Sequence, residues 1–288
     1  MEIRKIGEFS LTWGESLLWD EIKERLYFVD CSTNKLHWLE NGELPLYTVA
    51  LPSMPTGIGL SDDDRLVIAL DEGLFLFNPN RESLELLSNY PPQIGKRAND
   101  LVIDSRGNIV TGSLKEQGKG SYWWFSSKAG WKELDSGISN TNGPVTFSTQ
   151  KGNTLVIADT PAKKLYAYDY NPIEGIASAR RVYADTAEIA GSPDGACLTE
   201  DGEVLSCILG PGLIAHYTDE GLFDTYEAGS EQPSDITFGG RNLERLFVTS
   251  IKVEFGHGKP MSNLAGSLVE IKNTGLIGVK ENKFRTGT

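Results

Sequence analysis

Asp104-Ser105-Arg106-Gly107-Asn108-Ile109-Val110-Thr111-Gly112, followed by Gly120-Ser121-Tyr122-Trp123-Trp124-Phe125, decides the fold. A polar turn carrying Asp and Gly opens a short β-branched run, and a second run rich in aromatics closes the unit, which is the pattern of paired strands. The same unit recurs upstream, at Asp20-Glu21-Ile22-Lys23-Glu24-Arg25-Leu26-Tyr27-Phe28-Val29-Asp30 with Lys35-Leu36-His37-Trp38-Leu39, and at Asp62-Asp63-Asp64-Arg65-Leu66-Val67-Ile68-Ala69 with Gly73-Leu74-Phe75-Leu76-Phe77. Downstream it recurs at 151–159 with 164–168, at 200–206 with 213–217, and at 243–249 with 266–271. Six copies result. Taking Leu26, Leu66, Ile109, Leu155, Val204 and Leu246 as equivalent anchors, the copies fall 40, 43, 46, 49 and 42 residues apart. A period of this length with paired strands and no helical periodicity predicts an all-β, six-bladed β-propeller. No linker interrupts the repeats, so residues 1–288 read as a single domain. Ring closure is expected from residues 3–9 lying beside 277–284.

The 288 residues carry 27 basic and 40 acidic side chains, a formal charge of −13. Such a surface repels nucleic acid and anionic membranes, and no basic patch offsets it. No apolar run approaches the ~20 residues of a membrane helix, and no apolar segment follows the charged start, so a cytoplasmic location is expected. Cys31, Cys197 and Cys207 each sit in or beside an apolar run and read as free buried thiols. With only His37, His216 and His257, widely spaced, neither a thiolate or imidazole metal site nor a Ser/His/Asp triad is supported. Any metal ligands should be mostly oxygen.

Four segments break the repeat just ahead of a blade's anchor: Thr12-Trp13-Gly14-Glu15-Ser16, Lys96-Arg97-Ala98-Asn99-Asp100, Ser139-Asn140-Thr141-Asn142-Gly143-Pro144 and Gly191-Ser192-Pro193-Asp194-Gly195. Equivalent loops of a propeller face one mouth of its central channel, so these four are expected to converge there. Glu15, Asn142 and Asp194 would suit a divalent cation that accepts carboxylate, amide and water oxygens. Three protein ligands leave positions for water and substrate, an arrangement suited to hydrolysis of an activated ester. Arg97 and Asn99 could then hold substrate oxygens. Asp20, Asp30, Asp159 and Asp201 recur at blade turns and read as turn hydrogen bonders.

Gly14-Glu15-Ser16 with Trp19, Arg97-x-Asn99-Asp100, Asn142-Gly143, Pro193-Asp194-Gly195 and the late Phe238-Gly239-Gly240 resemble, in order and spacing, the regucalcin / gluconolactonase / luciferin-regenerating enzyme family. The resemblance covers essentially the whole chain. It implies a six-bladed propeller with one catalytic divalent ion, Ca²⁺ first, with Mg²⁺, Mn²⁺, Zn²⁺ and Fe²⁺ as alternatives. Glu15, Asn142 and Asp194 match its metal ligands, Asp194 also its general base, and Arg97 and Asn99 its substrate-binding positions. Glu116 is the candidate for a further acidic substrate contact. Thr141-Asn142-Gly143-Pro144 looks more like the bacterial sugar-acid lactonases than the animal regucalcins. The implied activity is metal-assisted opening of an aldonolactone, such as glucono-, xylono- or arabinolactone, with the small-molecule lactone as partner and the oligomeric state unread. The alternatives are hydrolysis of another ester or an organophosphate, or a non-catalytic propeller that binds calcium or a partner protein. Trp123, Trp124 and His257 are open between packing and the site: one tryptophan is expected between blades, and His257 in a surface loop.

Overall fold

The computed structural model describes residues 1–115, 118–149 and 152–287. It is a six-bladed β-propeller of six sheets, each with four antiparallel strands in chain order except where the termini join. The inner strands are Gly14–Asp20, Gly57–Ser61, Ala98–Ile103, Thr141–Thr149, Ser192–Leu198 and Pro233–Gly239, for blades 1 to 6. Each packs beside the inner strands of both neighbouring blades, and the inner strand of blade 6 packs beside that of blade 1, closing the ring around a channel. Apolar side chains fill the seams between blades. All six anchor residues lie there, each at most 1% exposed. Trp123 and Trp124 point to opposite faces of blade 3, and both are buried in seams. Neither forms a platform at the mouth. Among the described residues no helix is long and apolar enough to cross a membrane.

Closure differs from the sequence expectation. The strand Glu2–Lys5 pairs antiparallel with Val269–Lys272, completing blade 6. The C-terminal segment instead crosses the far end of the channel, where Gly278 bridges Thr199 and Lys283–Phe284 pairs parallel with Leu60 and Ser61. Charge chooses the partner. The Arg4 Nε donates to Glu270 at 2.8 Å, its NH2 reaches Glu43 at 2.5 Å, and Arg245 meets the same two carboxylates at 2.8 and 2.7 Å. Phe284, fully buried in the seam between blades 2 and 3, fixes the tail elsewhere.

The tail also delivers a carboxylate. Glu281 lines the channel cavity from below, makes no hydrogen bond or ion pair with a described residue, and burial pushes its pKa up to about 7. A carboxyl raised in the folded state loses stability as pH climbs from the unfolded value near 4.5 through 7, then levels off. Glu281→Gln is therefore expected to be more stable than wild type by roughly 1–3 kcal/mol at pH 8 and indistinguishable from it at pH 4, read by urea unfolding at both.

Candidate metal centre and active site

Five of the six inner strands carry a β-bulge near their first residues, between Glu15 and Leu18, Asn99 and Leu101, Asn142 and Val145, Pro193 and Ala196, and Pro233 and Ile236. A bulge bends the strand and re-aims the side chains beside it. Here it gathers Glu15, Asn99, Asn142 and Asp194 around one mouth. Ser16, Asp100 and Gly143 take the left-handed backbone that this requires, at φ of 52°, 54° and 48°. Turn aspartates brace the rim, as the sequence reading expected: Asp30 accepts from the Thr12 and Trp13 N–H groups at 2.9 and 3.2 Å, and Asp159 from that of Ser139 at 3.2 Å.

Asp194 is the unusual member. It is 2% exposed, yet its carboxylate makes no hydrogen bond or ion pair with any described residue. Burial, together with the charges of Asp100 and Asp235, drives its pKa well above the carboxylate range. Glu15 is raised likewise, by burial and by the charges of Asp194 and Asp100, although Trp13 Nε1 donates to its Oε1 at 2.9 Å. Setting the half-buried Glu15 carboxylate beside the buried one of Asp194, which has no described partner, is costly unless a cation completes them.

The Asn142 amide is fixed unambiguously. Thr160 gives its one hydroxyl proton to the Pro193 carbonyl at 2.8 Å, so it can only accept from Asn142 Nδ2, also at 2.8 Å. Asn142 Oδ1 therefore faces the channel, where Asn99 Nδ2 reaches it at 2.6 Å and also donates to the Thr141 carbonyl at 2.7 Å. A second lone pair stays open. Among the described residues no three His, Cys, Asp or Glu side chains converge as a ligand group, so a cation here needs the Asn142 amide oxygen and water beside the two carboxylates. That donor set fits a hard, oxygen-seeking divalent ion and not a thiolate- or imidazole-bound one. The three cysteines are free, as expected, and burial raises all three thiols well above their ordinary pKa.

Two carboxylates that the sequence reading did not single out, the half-buried Asp100 and the buried Asp235, have a different task. Asp100 accepts from the Gly143 and Leu101 N–H groups, both at 2.8 Å, and burial lifts it to about 6. Asp235 accepts from Leu17 at 2.5 Å and Ile236 at 2.8 Å. Each clamps the bulge of the following blade, next to Asn142 and Glu15 respectively. Gly195 leaves room for the second clamp, since a Cβ there would come within 2.1 Å of Asp235 Oδ1. The available signal was positional, because Asp100 follows Asn99, and Asp235 lies inside the bulge that opens at Pro233, as Asp194 lies inside the one that opens at Pro193. Arg97 is held through Nε by Asp71 Oδ1 at 2.8 Å, and its terminal NH₂ groups bond to no described residue. Asp71, in a Leu70-Asp71-Glu72-Gly73 turn, carried no signal at all. Glu116 lies outside the described residues.

Fold and site together define a six-bladed propeller with an oxygen-donor centre at one mouth. The family described as SMP-30/Gluconolactonase/LRE-like region matches residues 13–252, and the chain belongs to it. The pentonolactonase XacC of Haloferax volcanii is 25% identical over 87% of this chain and 85% of its own. A solved luciferin-regenerating enzyme superposes with a TM-score of 0.90 at 23% identity, covering 99% of both chains. A calcium-binding protein, regucalcin, from Agrobacterium tumefaciens gives 0.84 at 24%, covering 98% of this chain and 97% of that one.

Proposed function

We propose that this protein is a divalent-cation-dependent hydrolase that opens a sugar-acid lactone to the free acid. The observation that carries the reading is Asp194, a buried carboxylate without a partner among the described residues, set beside Glu15 and a fixed Asn142 Oδ1 at the mouth. Family membership and a pentonolactonase relative support lactone chemistry, and the calcium-binding neighbour supports the ion. A divalent cation, Ca²⁺ first, held by Glu15, Asn142 and Asp194 would polarise the lactone carbonyl and acidify water. Asn99 and Thr160 keep Asn142 Oδ1 turned inward, and the Asp100 and Asp235 clamps hold the strands that carry Asn142 and Glu15. The free NH₂ groups of Arg97 bind the lactone oxygens. Asp194 takes the proton of the attacking water, because its oxygens carry no other hydrogen bond. Asp100 is unsuited to that role, with both oxygens taken by backbone N–H groups.

The test is acid release on a pH-stat from glucono-, xylono-, arabino- and galactonolactone, with the spontaneous rate subtracted, using stripped protein before and after single ions are restored. Ion-restored turnover of one lactone is expected. Folded protein that binds calcium and opens no lactone would instead be a calcium-binding propeller. Asp71 offers a finer check. Asp71→Asn should raise KM about tenfold with kcat nearly unchanged, and Asp71→Glu should recover most of the loss, because Asp71 acts only by orienting Arg97.

A further inference from the structure

Trp13 stands immediately ahead of the blade 1 inner strand and is half-buried. Its main chain is held from both sides: the N–H donates to Asp30 Oδ1 at 3.2 Å, the carbonyl accepts from the Cys31 N–H at 2.9 Å, and the residue bridges Ile251 of blade 6. Residues two apart in an extended chain share a face, so the indole and the Glu15 side chain leave on the same side, and Nε1 donates to Glu15 Oε1 at 2.9 Å. An indole N–H can only donate, which commits it to the carboxylate. The ring is fixed in turn. Phe255 packs against it with the centroids 4.9 Å apart and the planes at 52°. Phe255 belongs to the loop that follows Arg245–Ser250 in blade 6, and that loop is tied down along its length. Gln232, 1% exposed, donates through Nε2 to the Val253 carbonyl at 2.9 Å, the Lys252 N–H donates to the Thr12 carbonyl at 3.0 Å, and Glu231 accepts from the Met261 N–H at 3.1 Å. His257 is exposed in the same loop, as the sequence reading expected, and its Nε2 meets Ser192 Oγ of blade 5 at 3.1 Å. A series of contacts therefore runs from blade 6 through Phe255 and Trp13 to Glu15. Asn142 is held by Asn99 and Thr160, whereas Glu15, half-buried and with many rotamers to lose, depends on the indole.

We propose that Trp13 is a positioning residue for the cation, holding Glu15 in the orientation that serves the ion, and that Phe255 holds the indole in turn. A loop of blade 6 thereby sets the affinity of a centre whose ligands come from blades 1, 4 and 5. The inference rests on the cation-dependent reading above, with Glu15 as a ligand. The test is calorimetric titration of the metal-stripped, full-length protein with the chlorides of calcium, magnesium and manganese, beside thermal unfolding of the same metal-free samples. Trp13→Phe, which removes the N–H and keeps a ring against Phe255, should weaken binding of the ion that wild type prefers about tenfold or more. Its metal-free unfolding temperature should match that of wild type. Trp13→His should recover most of the affinity, because an imidazole Nε2 stands two bonds from Cγ in a five-membered ring, as the indole Nε1 does. Phe255→Ala should lose affinity with the indole N–H still present. Unchanged affinity in Trp13→Phe, or a loss that Trp13→His does not recover, would overturn the positioning role while leaving the cation reading in place. Wild type that binds none of the three ions would bring down the cation reading itself, and this inference with it.

Discussion

Asp194→Asn is expected to cut lactone turnover by roughly 10³-fold and to abolish stabilisation by calcium, while leaving the metal-free protein at least as stable as wild type. The three outcomes share one cause. The carboxylate is 2% exposed, has no hydrogen bond to a described residue, and feels the charges of Asp100 and Asp235, so in the absence of a cation it is a liability to the fold. Its amide replacement removes that repulsion and keeps the shape. With the ion bound the same charge becomes favourable, worth about 2.7 kcal/mol of apparent stability at an ion concentration of 100 Kd. Thermal unfolding with and without calcium, beside pH-stat rates, reads all three. Full activity in Asp194→Asn would remove the proposed base and ligand together.

Glu270→Ala should lower stability by about 3–5 kcal/mol, which for a chain of this length is roughly 10 °C in Tm. The Glu270 side chain is 5% exposed and bonded by both Arg4 and Arg245. Its loss removes the one buried acceptor that Arg4 and Arg245 share where the N-terminal strand completes blade 6, and leaves both guanidinium groups to the exposed Glu43. Glu43 joins the same pairs at 49% side-chain exposure, so Glu43→Ala should cost only about 1 kcal/mol. Although burial alone would raise Glu270, the hydrogen bonds from Arg245 and Arg4 hold it below the ordinary carboxylate range. Its contribution is therefore present above that range and fades as pH falls through the folded pKa. Equal effects of the two substitutions in denaturant unfolding would refute this account of closure.

The blade count was legible because the second and third strands of each blade are buried on both faces and read as apolar runs, as at Leu66-Val67-Ile68-Ala69. The other strands were harder to see. Inner strands such as Pro233–Gly239 are interrupted by bulges that break the two-residue alternation, and outer strands such as Glu43–Ala50 are largely exposed. Closure was misread because residues 277–284 are strand-like in composition, and nothing local says that Glu270 will claim Arg4.

The site divides along the same line. Glu15, Asn142, Asp194, Arg97 and Asn99 stand in the sequence as polar breaks in an apolar repeat, and their order alone singles them out as candidates. Asp71, Thr160 and Asp235 look like any turn or strand residue, because what they do depends on a partner in another blade: Arg97 26 positions away, the Pro193 carbonyl 33 away, and the Leu17 N–H 218 away. A repeat makes equivalent positions visible one blade at a time. Which hydrogen bond runs between blades, and which buried carboxylate is left without one, is settled only when the ring closes and sets each bulge against the next.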